Sequence, residues 1–244
     1  MKTIKPHAIL AATILIFLFS KDTMGQLANF YSSANYSNFI NNMISNSIWQ
    51  SSMEKYTKES KGGSRISKED SIRQSMPEVV PEYRRYPAVQ FKSTGTRLTL
   101  QPYLDATNIS AQEKVELKEL VLKIFSDYES TGAAKSYPND WALAYVSFVG
   151  INTHVYNGRT EKMIIRFEQN VGLRDVVAEQ ATDNGLFKNV TDKEKQELYE
   201  LMILMGGLTY HYYEKACKEN NAQEIENCKQ AAAQNLKLIG IKVQ

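Results

Sequence analysis

The chain has 244 residues, 23% of them charged and 43% apolar, with 29 basic and 27 acidic side chains giving a formal charge of +2. Those proportions are ordinary for a globular protein and exclude a wholly disordered chain, a collagen-like repeat and a multi-span membrane protein. The length accommodates one large domain, or one domain with an appendage.

The N-terminus reads as an address. Lys2 and Lys5 precede an unbroken apolar-to-small run from Ala8 to Ser20. A helix of that run reaches only about 20 Å, short of the roughly 30 Å hydrocarbon core of a bilayer. A basic start, a short apolar stretch, and small residues at Thr23 and Gly25 fit a secretory signal cut before Gln26. A retained N-terminal anchor is the other reading of the same run. Removal of residues 1–25 takes away Lys2, Lys5, Lys21 and Asp22, leaving 26 basic and 26 acidic residues. Such a formally neutral chain offers no basic patch to nucleic acid and no polybasic stretch to anionic lipid. The expectation is a secreted or periplasmic protein with no nucleic-acid partner and no stable membrane span after signal removal.

Residues 26–53 are rich in Asn and Ser, with Phe30, Tyr31, Tyr36, Phe39 and Trp49 interspersed. Ile40, Met43, Ile44 and Ile48 recur at helical spacing, which predicts a short amphipathic helix near 36–53. From residue 54 to 82 the chain turns polar, with Gly62-Gly63, Pro77 and Pro81. Few apolar groups there offset an ordering cost of about 1–2 kcal/mol per residue, so this stretch reads as a flexible tether. The resulting division is a signal over 1–25, an Asn/Ser-rich segment and tether over 26–85, and a folded domain over 86–244.

The folded part begins with a stretch, 86–104, that reads as extended because Pro87 forces its predecessor out of the helical region. Five helical patterns follow. Ser110 and Glu113 form a capping box ahead of Leu117, Leu120, Val121, Ile124 and Tyr128 on one face. Asn139 is placed to cap a helix from Asp140 to about Tyr156, apolar almost all round and therefore central. Thr160 opens a third pattern reaching about Ala181, with a break near Gly172. Thr191 and Glu194 form a second capping box for a fourth helix reaching about Cys217. The fifth, over 222–238, is Ala-rich and stops at Gly240. Short turns between these segments give an all-α antiparallel bundle of about five helices.

Candidate chemistry is sparse. After signal removal only His154 and His211 remain. Asp140, Ser147 and His154 share one helix face, but seven-residue steps rise about 10.5 Å each and a nucleophile must meet its base within roughly 3 Å. They read as the polar seam of a buried helix. His211 stands among Tyr210, Tyr212 and Tyr213, a set able to line a ligand pocket or simply to cover the helix. Glu129-Ser130 matches the Glu-Ser pair of lytic transglycosylases, but the Gly-Leu-Met-Gln type of segment that accompanies it there is missing. The catalytic candidates are therefore Glu129, His154 and His211, without a partner motif.

No zinc, calcium or phosphate-binding motif occurs, so neither a metal nor a cofactor is expected. Gly206-Gly207 lies inside a helix and costs about 2 kcal/mol relative to two alanines. Close approach of another helix, the 140–156 helix first, is the expected compensation. Asn139, Asp140 and Trp141 crown the central helix and, with Tyr156, are the candidate binding residues. Cys217 ends the fourth helix and Cys228 lies inside the fifth, and an even pair bridging a helical hairpin in an oxidising compartment reads as a disulfide. Two reduced buried thiols, turned apart by helix phase, are the alternative.

Residues 86–240 resemble an uncharacterised family of secreted bacterial helical domains. The resemblance rests on Tyr86-Pro87-Ala88-Val89-Gln90-Phe91 leading to Arg97, on Pro138-Asn139-Asp140, and on Tyr156-Asn157-Gly158. It continues through Thr191-Asp192-Lys193-Glu194-Lys195-Gln196, the Gly206-Gly207 helix and the Ala-rich final helix. What it implies is an exported α-helical domain with no assigned activity. The leading functional expectation is a non-enzymatic binding module whose partner is a protein or an envelope component. A hydrolase or lyase acting on an envelope glycan or peptide, and a structural subunit of a surface complex, are the alternatives.

Overall fold

The computed structural model describes residues 48–62, 86–161, 163 and 167–243. The expected signal, the aromatic segment up to residue 47 and the tether over 63–85 lie outside the described residues. Within them the chain is all-helical, and the only extended pairing is an isolated bridge between Gln90 and Asp140. The helices are α1 (Ile48–Gly62), α2 (Leu100–Ala106), α3 (Ala111–Glu129), α4 (Gly132–Ser136), α5 (Trp141–Tyr156), α6 (Phe167–Asp183), α7 (Asp192–Lys218) and α8 (Ala222–Leu238). A 3-10 turn, Pro87–Val89, precedes α2.

Both capping boxes form as the sequence predicts. Ser110 Oγ accepts from the Glu113 N–H while the Ser110 N–H donates to the Glu113 carboxylate, and Thr191 and Glu194 repeat the exchange. Each box satisfies two of the N–H groups that a helix start leaves without partners. The apolar stripes then bury where their period places them: Leu117, Val121 and Ile124 of α3, and Leu198, Leu201, Met202, Leu208 and Tyr212 of α7.

Helix α5 is the hub, as its apolar circumference demands. It packs on α6, α7 and α8, and nearly every residue from Trp141 to Val149 is buried. Phe148 meets Gly206 and His154 meets Tyr213, so α5 and α7 run the same way, with α6 antiparallel between them in the chain. A layer of buried amides fixes the register: Asn235 of α8 donates to Asn152 Oδ1 of α5 at 2.8 Å and to Thr209 Oγ1 of α7 at 3.2 Å, while Asn152 donates to the Phe148 carbonyl at 2.8 Å. Satisfied groups of this kind tie three helices at one height, since slippage would leave each of them buried and unpaired.

The glycine pair works as close packing, on two different neighbours. A Cβ on Gly206 would lie 3.6 Å from the Phe148 Cα of α5, the expected contact, whereas one on Gly207 would overlap Ile124 Cγ2 of α3. Gly207 is thus the point at which α3 crosses α7.

The strap over 90–99 lies along the first turns of α7 and is held by polar side chains. Asp192 accepts from the Lys92 N–H at 3.1 Å, Gln196 Oε1 accepts from the Thr94 N–H at 2.8 Å, and Gln196 Nε2 donates to the Thr96 carbonyl at 2.6 Å. Buried Glu200 takes both the N–H and the hydroxyl of Thr99, at 2.9 and 3.0 Å. A strap without regular pairing needs these bonds because its own backbone groups have no ladder.

Several local expectations are corrected. Asp140, not Asn139, caps α5: its carboxylate accepts from the Leu143 N–H at 2.9 Å, while Asn139 turns the chain in the left-handed region at φ 55°. Residues 100–106 are helical rather than extended, and α6 begins at Phe167 rather than Thr160 and runs through Gly172 unbroken. Residues 54–62, assigned to the tether, continue α1, which packs on α6. Its apolar start is what docks it: Ile48 is buried, Trp49 meets the Tyr145 ring edge-on at 6.1 Å, and Lys55 pairs with Glu179 at 2.5 Å.

Candidate functional site

Three clefts separate the candidate residues. The largest, of about 600 Å³, lies between α3, α5 and α7. Leu120 and Ile124 of α3, Leu143, Ala144, Phe148 and Ile151 of α5, and Met202, Ile203 and Gly207 of α7 form its walls. The volume falls in the range of small-molecule sites, and the predominance of apolar walls with a few polar groups is their usual chemistry.

The polar groups of the lining include Tyr128, Ser147, Tyr210, His211 and Glu214, with Lys123 and Asp127. The Tyr128 hydroxyl is buried, with no surface open to the cleft, and the Ser147 side chain is its hydrogen-bonding neighbour. Burial, reinforced by Tyr199 and Asp140, holds the Tyr128 phenol well above its ordinary pKa, so it stays a neutral donor. His211 is exposed at the mouth, and partial desolvation together with Lys215 lowers its pKa. Tyr210 is committed: it accepts from the Met163 N–H at 3.3 Å and donates to Glu214 at 3.4 Å.

A second cleft, of about 460 Å³, lies beside the strap and includes Thr96, Arg97, Glu129, Lys135, Asn139 and Tyr199. Arg97 donates to Glu129 at 2.6 Å and stacks on Phe125, its guanidinium carbon 4.4 Å from the ring centroid. Glu129 is thus engaged as the partner of a guanidinium. A third cleft, of about 400 Å³, is lined by His154, Arg159, Tyr210, Tyr213 and Cys217 among others. There the His154 ring packs edge-on against Tyr210 at 6.0 Å and Tyr213 at 6.5 Å.

Glu129, His154 and His211 thus face three different clefts, and no pair of them meets at a common point. Of the candidate binding residues, Asp140 and Trp141 are fully buried, which removes them from any partner-facing surface. Asp140 is the α5 cap and the partner of Arg174, and Trp141 stacks on Tyr145 at 5.0 Å and meets Phe187 edge-on. Asn139 and Tyr156 are half-buried.

The expected bridge is absent: Cys217 and Cys228 are free thiols. Cys228 faces the core from α8, and its burial pushes the thiol pKa up to about 12. Cys217 lies in the last turn of α7 beside Tyr213. Among the described residues, no three His, Cys, Asp or Glu side chains gather within reach of one metal ion, and no helix is long and apolar enough to cross a membrane.

Sequence reading missed the first of these clefts because its walls come from α3, α5 and α7, which are far apart in the chain. Only His211 and its tyrosines pointed towards it. The model of one protein family, DUF6683, a family of unknown function, matches residues 4–244. No curated protein and no solved structure matches the chain.

Proposed function

The chain belongs to that family of unknown function, and on that premise we propose that it is an exported, non-enzymatic helical module that binds a component of the cell envelope or of the secreted fraction. The observation that carries this reading is the cleft between α3, α5 and α7. It has the size and apolar walls of a ligand site, and its polar groups do not form a nucleophile, base and orienting partner. The basic start and short apolar run before Gln26 support export.

Recovering the chain from its host under non-denaturing conditions tests both parts. The expected result is a chain beginning at Gln26 in the exported fraction, retained on envelope material at a fixed stoichiometry. A chain that stays in the cytoplasm overturns export. Turnover of an envelope glycan or peptide, lost in Glu129→Gln, overturns the non-enzymatic reading in favour of the hydrolase or lyase.

A further inference from the structure

Independently of the cleft that carries the binding reading, we propose that the polar cleft beside the strap is a site for a small ligand bearing one carboxylate and one N–H or O–H donor, an N-acyl amino acid being the test case. Arg97, Lys135 and Asn139 receive the carboxylate, and Glu129 accepts from the donor.

The ion pair in this cleft is open to a ligand. Arg97 and Glu129 both line the space, and their side chains stay 31% and 38% exposed although they bond to each other. Among the described residues, Glu129 takes one Arg97 N–H and Phe125 covers a face of the guanidinium. A guanidinium carries five N–H groups in one plane, so this one is already oriented and keeps donors for a planar carboxylate.

Two further donors line the same cleft without a protein partner. Lys135 is exposed in the last turn of α4, and no carboxylate among the described residues pairs with it. Asn139 is half-buried in the left-handed region at φ 55°, and its carbonyl takes the Phe91 N–H. Its side-chain amide makes no hydrogen bond among the described residues, since Asp140 has the capping role.

Charge then selects the ligand class. Arg97 and Lys135 stand against the single carboxylate of Glu129, so the lining is left with one positive charge to be balanced. A carboxylate supplies one negative charge. A phosphate monoester carries about 1.5 to 2 at neutral pH and sets the surplus against Glu129. An uncharged ligand leaves the surplus donors of Arg97 and Lys135 without an anion. The volume of about 460 Å³ lies in the range of small-molecule sites.

Calorimetric titration of the full chain with N-acetylalanine, its amide N-acetylalaninamide, propionate and inorganic phosphate tests the assignment. N-acetylalanine is expected to saturate one site and to bind at least tenfold more tightly than the amide. Propionate, which has no N–H for Glu129, and phosphate should both bind more weakly than N-acetylalanine. Lys135→Gln removes an exposed charge, and Asn139→Gly removes the amide while keeping a backbone that glycine adopts freely. Each should weaken N-acetylalanine at least threefold, with the melting temperature of Lys135→Gln unchanged. An amide that binds as well as the acid overturns the carboxylate, and equal binding of propionate overturns the role of Glu129. Phosphate binding as tightly overturns the charge count. Unchanged affinity in both variants, or no saturation by N-acetylalanine, overturns the site.

Discussion

Arg174, fully enclosed in the bundle, turns its guanidinium onto the Asp140 carboxylate that caps α5. One carboxylate therefore ends a helix and neutralises a buried cation. Asp140 accepts from the Leu143 N–H and from Arg174 Nε and Nη2, while Arg174 Nη1 reaches Asp175 at 2.7 Å. Tyr137 stands under the guanidinium plane, 4.4 Å from its carbon. Burial opposes the Arg174 charge, but its bonds to Asp140 and Asp175 outweigh it and raise the pKa. The motif joins the starts of the central helix to the middle of α6, on the side where the strap crosses through the Phe91 N–H and the Asn139 carbonyl.

Asp140→Asn isolates the charge from the cap, because Asn caps a helix about as well as Asp. The expected loss is about 3–5 kcal/mol, the usual cost of leaving one member of a buried ion pair alone. Adding Arg174→Met should return part of it. Urea unfolding of the two variants checks this, and a loss below about 1 kcal/mol in the single variant would show that Asp175 carries Arg174 unaided.

The glycine pair separates into opposite outcomes. Gly206→Ala places its methyl at ordinary van der Waals distance and gains up to about 1 kcal/mol of helix propensity. Gly207→Ala drives a Cβ into Ile124 and should cost about 1–3 kcal/mol from overpacking. Ile124→Ala introduced beside Gly207→Ala should relieve the clash, so the double variant is more stable than the sum of the two single losses. Equal melting temperatures for the two alanine variants would contradict the α3–α7 crossing.

The cysteines should differ in reactivity because the thiolate is the reactive form. Cys228 is buried with its pKa pushed up to about 12, whereas Cys217 is half-buried. Native protein treated with iodoacetamide should gain one adduct, on Cys217, and unfolded protein two. Absence of any adduct without a reductant, in the unfolded chain as well, would establish the bridge that the spacing suggests.

The α7 capping box gives a defined acid dependence. Hydrogen bonds from the Thr191 backbone and hydroxyl hold Glu194 below its ordinary value of 4.5. A carboxylate with a lowered folded pKa adds stability that is complete above its unfolded value and is lost as pH falls through the folded one. Glu194→Gln keeps an acceptor for the box but removes the titration. Its urea midpoint should therefore fall less steeply than that of the parent below pH 4.5. Parallel curves would show that the box contributes no proton linkage.

Local order was legible in the sequence wherever one short stretch carried the whole instruction. The two capping boxes, the stripes of α3 and α7, the all-round apolar character of α5 and the stop at Gly240 are each decided by residues within a few turns. Period and capping chemistry act at that range, so helix starts, buried faces and the all-α class follow from them. The resemblance to a family of unknown function was legible in the same way, from an ordered set of short segments.

Tertiary structure alone decided what those segments meet. Asn139 and Asp140 are equally good caps on paper, and Arg174 is what selects Asp140, from a helix 34 residues away. The polar start of α7 looks like a solvated face until the strap over 90–99 is laid against Lys195, Gln196 and Glu200. Residues 54–62 carry too few apolar groups to order themselves, and α6 supplies the surface that orders them. The main cleft is of the same kind. Its walls are sequence-distant faces that become neighbours only after packing.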